Sequence, residues 1–188
     1  MKPLANVLTT LAAGLVLAAA PSPASLQHSD ANDRHSESEA KDLKSIEHLI
    51  EELYLAYCFD PGEPFDAKRF DEFFMSDAIF VQPVASSSSR KIDSLAKFYA
   101  DFENFIESLR AQQQGIYEDI LNTRSDVYGD IAHSYVVFQP RNDDSGVAPS
   151  TRGMDSYQLV KVGESWRIAS MTTQFESQDL PMPERFLH

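Results

Sequence analysis

From residue 42 onward, hydrophobic positions recur at helical spacing: Leu43, Ile46, Leu49, Ile50, Leu53, Tyr54 and Tyr57 make one apolar face and predict an amphipathic helix. Pro61-Gly62-Glu63-Pro64 ends it. Phe70, Phe73 and Phe74 repeat the helical alternation and predict a second helix over 65–75, followed by a short strand, Ala78-Ile79-Phe80-Val81, closed by Pro83. A polar loop over 85–90 leads to the longest predicted helix, 92–113, with Leu95, Phe98, Tyr99, Phe102, Phe105, Ile106 and Leu109 along one side and Gly115 as its stop. Beyond Gly115 no helical period survives. Segments 116–128 and 131–141 alternate loosely around Gly129-Asp130, and two stretches rich in β-branched and aromatic residues flank Gly163-Glu164-Ser165 within 152–176, so two hairpins are predicted. A polar loop over 142–150 joins them. Three helices ahead of a mostly antiparallel sheet define an α+β layer fold with the helices on one sheet face.

Residues 1–24 are different in kind. Lys2 supplies a positive start, 4–20 is an apolar run interrupted only by small or polar residues, and Ser22-Pro23-Ala24 offers small side chains at a cleavage site. The run is short for a bilayer span of about 20 apolar residues and carries Asn6, Thr9 and Thr10. It reads as a signal peptide cut after Ala24, because a cut after Ala20 would place Pro21 next. The expected location is therefore the periplasm or the exterior, with no membrane attachment after cleavage. Residues 25–41 are almost devoid of apolar side chains and are expected to form a flexible leader; a domain over 42–178 and a tail over 179–188 follow.

A formal charge of -13 disfavours nucleic acid and anionic membrane surfaces as partners. Cys58 is the only cysteine, so an exported form has no internal disulfide, and its place between Tyr57 and Phe59 suits a small buried hydrophobe. No His, Cys, Asp and Glu spacing makes a metal cage, and neither a Gly-rich phosphate loop nor a nucleophile elbow is present, so no metal or cofactor is expected. Arg141 and Arg152 bracket the 142–150 loop and are expected to pair with Asp143, Asp144 or Asp155 at a rim. His48, beside Glu47 and Glu51, is expected to be solvated.

The element order resembles that of the nuclear transport factor 2-like superfamily over roughly residues 43–176. Within it, Asp77-Ala78 through Pro83, Leu95-Ala96-Lys97-Phe98-Tyr99 and Arg167-Ile168 resemble the SnoaL-like and ketosteroid-isomerase-like branch. The resemblance implies a cone-shaped fold in which a curved sheet wraps the helices around a pocket, and a homodimer formed through the open sheet face. It places Gln82 where the isomerase has its aspartate base and Gln158 where it has a protonated aspartate, with Tyr54 or Tyr57 in the first-helix tyrosine region and Tyr99 at a third-helix tyrosine. An amide cannot shuttle a proton at neutral pH. The implied pocket, Tyr54, Tyr57, Phe80, Gln82, Tyr99, Gln158, Met171, Thr173 and Phe175, is apolar and neutral. It suits a small uncharged organic ligand bound without the isomerase mechanism. Two alternatives stay open: an isomerase or dehydratase-type lyase using His133 or Asp60 with Tyr57, and an interaction module whose core is filled.

Overall fold

The computed structural model describes residues 24–63, 65, 67–83, 89–141 and 151–188, the first twelve of them by backbone alone. Residues 1–23 of the expected signal peptide, residues 85–88 of the first expected polar loop and the whole of the second, 142–150 with Asp143 and Asp144, lie outside the described residues. Two compact units divide the chain, 1–35 and 36–188. The backbone of the first is helical from residue 24.

The second unit is a six-stranded sheet with helices against one face. Helix α1, Ala24–Tyr57, carries the predicted apolar stripe, with Ile46, Ile50, Leu53, Tyr54 and Tyr57 buried. It starts well before the expected residue 42, and from Ser36 to Lys41 its side chains are mostly exposed, which a polar helical turn tolerates. A 3-10 helix, Ala67–Glu72, replaces the second helix expected over 65–75. Phe70 is fully buried there, but Phe74 already opens strand β1, Phe74–Pro83, far longer than the four residues predicted. The expectation of three N-terminal helices therefore fails. Phenylalanines spaced like a helical face are instead divided between one tight turn and a strand that pairs with the C-terminal hairpin.

Strand β2, Arg90–Ser94, was hidden in the expected loop and helix start. Ser94 caps α2, Leu95–Ala111, by accepting the Lys97 backbone N–H at 3.3 Å. Strands β3, Tyr117–Tyr128, and β4, Ile131–Arg141, form the first predicted hairpin; β5, Gly153–Val162, and β6, Ser165–Phe175, form the second. Gly163 has φ +64 in the β5–β6 turn, a conformation that favours glycine. The sheet order is β2-β1-β6-β5-β4-β3, antiparallel throughout except where β1 runs parallel to β6.

Near residue 42 and at its exit, α1 is attached to this sheet. At residue 42 the helix is held to the C-terminal hairpin: the Asp42 carboxylate takes Lys161 Nζ at 2.6 Å and Trp166 Nε1 at 3.2 Å. Trp166 is buried. At the helix exit, Phe59 and Ile116 exchange backbone hydrogen bonds of 2.8 and 2.9 Å. Gly115 permits that approach, since a Cβ there would lie 2.5 Å from the Phe59 carbonyl. This contact sets the start of β3 against the end of α1.

Candidate functional site

Every strand and both α-helices contribute to one cavity of about 330 Å³. Its wall is largely aromatic: Tyr57 from α1, Phe98, Phe102 and Phe105 from α2, Phe138 from β4 and Phe175 from β6. Phe105 and Phe175 are partly exposed and mark the mouth, whereas Phe98, Phe138 and Met171 are buried. Gln82 and Pro83 close one side from the end of β1. Lys91 lies on the lining beside Asp101, held by Asp93 at 3.0 Å and Asp101 at 2.9 Å. Asp101 also pairs with Lys97.

The floor of the cavity holds the chemistry. Asp155 is 4% exposed and receives three hydroxyl donors: Tyr54 at 2.8 Å and Tyr157 at 3.0 Å on Oδ2, and Thr173 at 2.6 Å on Oδ1. The pairing Asp155↔Thr173 and Tyr157↔Met171 across the hairpin puts all four side chains on the inner face. Burial pushes the Asp155 carboxyl up, and the three donors oppose it. Burial and the Asp155 charge push the Tyr54 and Tyr157 phenols well above their ordinary value, so both remain donors.

Glu118, on β3, lines the same cavity. Among the described residues no side chain hydrogen-bonds its carboxyl. Desolvation first, and then the nearby Asp155 charge, push it up from 4.5 to about 8. Of the two carboxyls Asp155 has the donors that satisfy a charge and Glu118 has none, so at neutral pH the proton resides on Glu118.

This floor overturns the expectation of a hollow without acid and base. Asp155, expected in a rim salt bridge, and Glu118, for which no role was expected, both stand on this floor. Both were visible in the parity of their strands: Glu118 shares its face with Ile116 and Ile120, and Asp155 shares its face with Tyr157 and Leu159. Arg141 pairs with Asp119 at 2.7 Å, and Arg152 pairs with Glu176 at 2.9 Å and not with Asp155; Asp143 and Asp144 lie outside the described residues.

Of the expected pocket residues, Tyr57, Gln82, Met171, Thr173 and Phe175 line the cavity. Tyr54 sits behind the lining on Asp155, and Phe80 is buried behind Phe98, stacked on it at 4.1 Å. Tyr99 is outside, donating to Asp71 at 3.1 Å. Gln158 is exposed on the opposite sheet face. A register shift between Gln158 and Leu159 explains the error: a face count carried from Arg167 through a bulge lands on the wrong side. His133 alternates with buried Ala132 and Ser134 and faces outward too, 2.8 Å from Ser156 Oγ. Asp60 lines a separate depression with Cys58, Glu63, Arg69 and Tyr117. His133, Asp60 and Tyr57 therefore do not converge on one cavity.

The sign of the Glu118 shift makes a stability prediction. In the unfolded chain this carboxyl ionises near 4.5, in the fold near 8. The stability tied to its neutral form is fully present below the unfolded value and is lost as pH rises through the folded one. Glu118→Gln carries no such dependence. It should gain on the unsubstituted protein by on the order of 1 kcal/mol per pH unit between about pH 5 and about pH 8, read from urea midpoints. A stability difference that stays flat over this range would contradict the assignment.

Solved structures with the same arrangement exist. A nuclear transport factor 2-like protein with a cystatin-like fold from Novosphingobium aromaticivorans aligns with TM-score 0.58 and 17% identity, over 84% of this chain and 96% of its own. A protein of unknown function with a cystatin-like fold from Nostoc punctiforme gives 0.57 and 15%, over 76% and 96%. A nuclear transport factor 2-like protein of unknown function from Silicibacter pomeroyi gives 0.50 and 20%, over 73% and 98%. No family model and no curated protein matches the chain. The chain has the nuclear transport factor 2-like, cystatin-like fold.

Proposed function

We propose that the domain binds a small, largely hydrocarbon organic molecule in the cone cavity, with one polar group of that molecule against Glu118. The observation that carries this reading is a carboxyl facing an aromatic-lined cavity with no hydrogen-bonding partner among the described residues. A half-buried, desolvated carboxyl gains from a partner, and a polar group of a ligand would supply one to Glu118. A volume of about 330 Å³ suits a molecule of one or two rings.

Proton transfer is the second reading, of isomerase or lyase type. It is favoured by Glu118, whose carboxyl at about 8 is poised to exchange a proton near neutrality. Glu118 would take the role that Gln82, Gln158 and His133 cannot fill, and Asp155 with its hydroxyls would hold the adjacent charge fixed. Export with cleavage after Ala24 and pairing of two copies through the outer sheet face complete the proposal. The first rests on the pattern of residues 1–24 and the second on the family resemblance, and the mass of the secreted protein, intact and by light scattering, tests them.

Binding is testable with prodan, a neutral dye whose emission shifts to the blue in apolar surroundings. The protein should bind it with a blue shift, and Met171→Trp, which fills the cavity, should weaken binding at least about tenfold while thermal unfolding stays cooperative. Unshifted emission, or equal affinity in the variant, would remove the binding reading. For the catalytic reading, a bound carbonyl compound should take up carbon-bound deuterium from heavy water in the unsubstituted protein and lose that uptake at least about a hundredfold in Glu118→Gln. Equal uptake in the two would dismiss it.

A further inference from the structure

We propose that the cavity selects an amphiphilic organic cation, an alkyl- or arylalkyl-ammonium compound, over neutral and anionic molecules of the same shape. This rests on the cavity being a binding site and names the class of molecule it takes.

Charge is the first support. Two carboxyls, Asp155 and Glu118, face the cavity, and the one cation among its described lining residues is Lys91. Lys91 is already engaged by Asp93 and Asp101, at 3.0 and 2.9 Å. Asp155 holds a carboxylate charge at the floor, and Glu118 beside it becomes a second negative group when it gives up its proton as a cation binds. An ammonium group entering the cavity meets no like charge that is free.

Hydrogen-bond supply is the second. The hydroxyls of Tyr54, Tyr157 and Thr173 all point their protons at Asp155. Tyr57 directs its hydroxyl to Met171 Sδ at 3.7 Å, a weak acceptor. What the floor offers an ammonium is mainly acceptor capacity: the Glu118 oxygens once its proton is given up, and the remaining lone pair of an Asp155 carboxylate, which accepts about four bonds in all. A carboxylate or phosphate ligand would find one donor, the Glu118 O–H, next to the Asp155 charge, whereas an ammonium with up to three N–H donors meets acceptors only.

The aromatic wall is the third. Ring faces carry negative electrostatic potential and attract cations within about 6 Å of the centroid, more strongly where water is excluded. Tyr57, Phe98, Phe102 and Phe138 line the cavity together with the two carboxyls, and Phe105 and Phe175 extend the aromatic wall to the mouth. Hydrocarbon and cation are thus both accommodated, in that order from mouth to floor. The net charge of -13 steers cations toward the protein from a distance.

The test displaces prodan with three molecules of one shape: phenethylamine, phenethyl alcohol and phenylacetate. The amine should displace the dye at a concentration at least about tenfold lower than the alcohol, with phenylacetate the weakest. Glu118→Gln should bring amine and alcohol to within about twofold of each other. Calorimetry of the unsubstituted protein in two buffers of different ionisation enthalpy supplies a readout that needs no variant: the amine should release close to one proton on binding near pH 7, and the alcohol none. Equal displacement by amine and alcohol, preference for phenylacetate, no displacement by any of the three, or amine binding without proton release would each overturn the cation proposal while leaving prodan binding, and hence the cavity reading, intact. Failure of prodan itself to bind would overturn both.

Discussion

The structure depends on a single buried carboxylate and the hydroxyls around it. Asp155 draws Tyr54 from α1, Tyr157 from its own strand and Thr173 from β6 onto one group. A charge so deeply buried is costly without partners, and three charge-assisted hydrogen bonds are what make it tenable. Because the donors come from helix and hairpin, satisfying the charge also sets the position of α1 over the sheet. The same constraint shapes the site: with the hydroxyls committed to Asp155, the neighbouring Glu118 is left with no donor and a like charge beside it, and it keeps its proton.

The hollow exists because the residues that could have filled it are engaged elsewhere. Phe80 stacks on Phe98 behind the wall, Tyr99 turns out to Asp71, and Tyr54 reaches down to Asp155. Two strands that local pattern did not reveal complete the enclosure. Strand β2 pairs with β1 and carries Lys91 to the mouth, and Ser94 at its end caps the helix that supplies three of the lining phenylalanines. At the far edge, the Phe59–Ile116 contact brings β3 against the end of α1, from which Glu118 reaches the cavity two residues later.

Much of this was legible in the sequence, and the failures have physical causes. Period and turn chemistry identified α1, the long helix and both hairpins, because Gly129 and Gly163 occupy positive-φ turn positions between alternating strands. The segment 65–75 misled because its phenylalanines are spaced for a helix, while the parallel partner that makes Phe74 a strand residue lies almost a hundred residues away at Ile168. Strand β2 is five residues long, polar, and an edge, so nothing local distinguishes it from a loop. The inner face of β6 was read correctly at Met171, Thr173 and Phe175, but the bulge between the hairpin pairs Gln158↔Ser170 and Leu159↔Ile168 defeated the count to its neighbour. Gln158 was placed inside where Asp155 belongs, and that error of face made an acidic cavity look neutral.

The chemistry of the cavity floor depends on where the proton of Glu118 resides. Carboxyl-detected carbon NMR of protein labelled at glutamate side chains, with the Glu118 signal assigned by its loss in Glu118→Gln, measures this directly. A midpoint of about 8 for Glu118 is the predicted result. A midpoint near the ordinary value of 4.5 would mean that the carboxyl is solvated or paired, and that the cavity floor is not the coupled acidic site described.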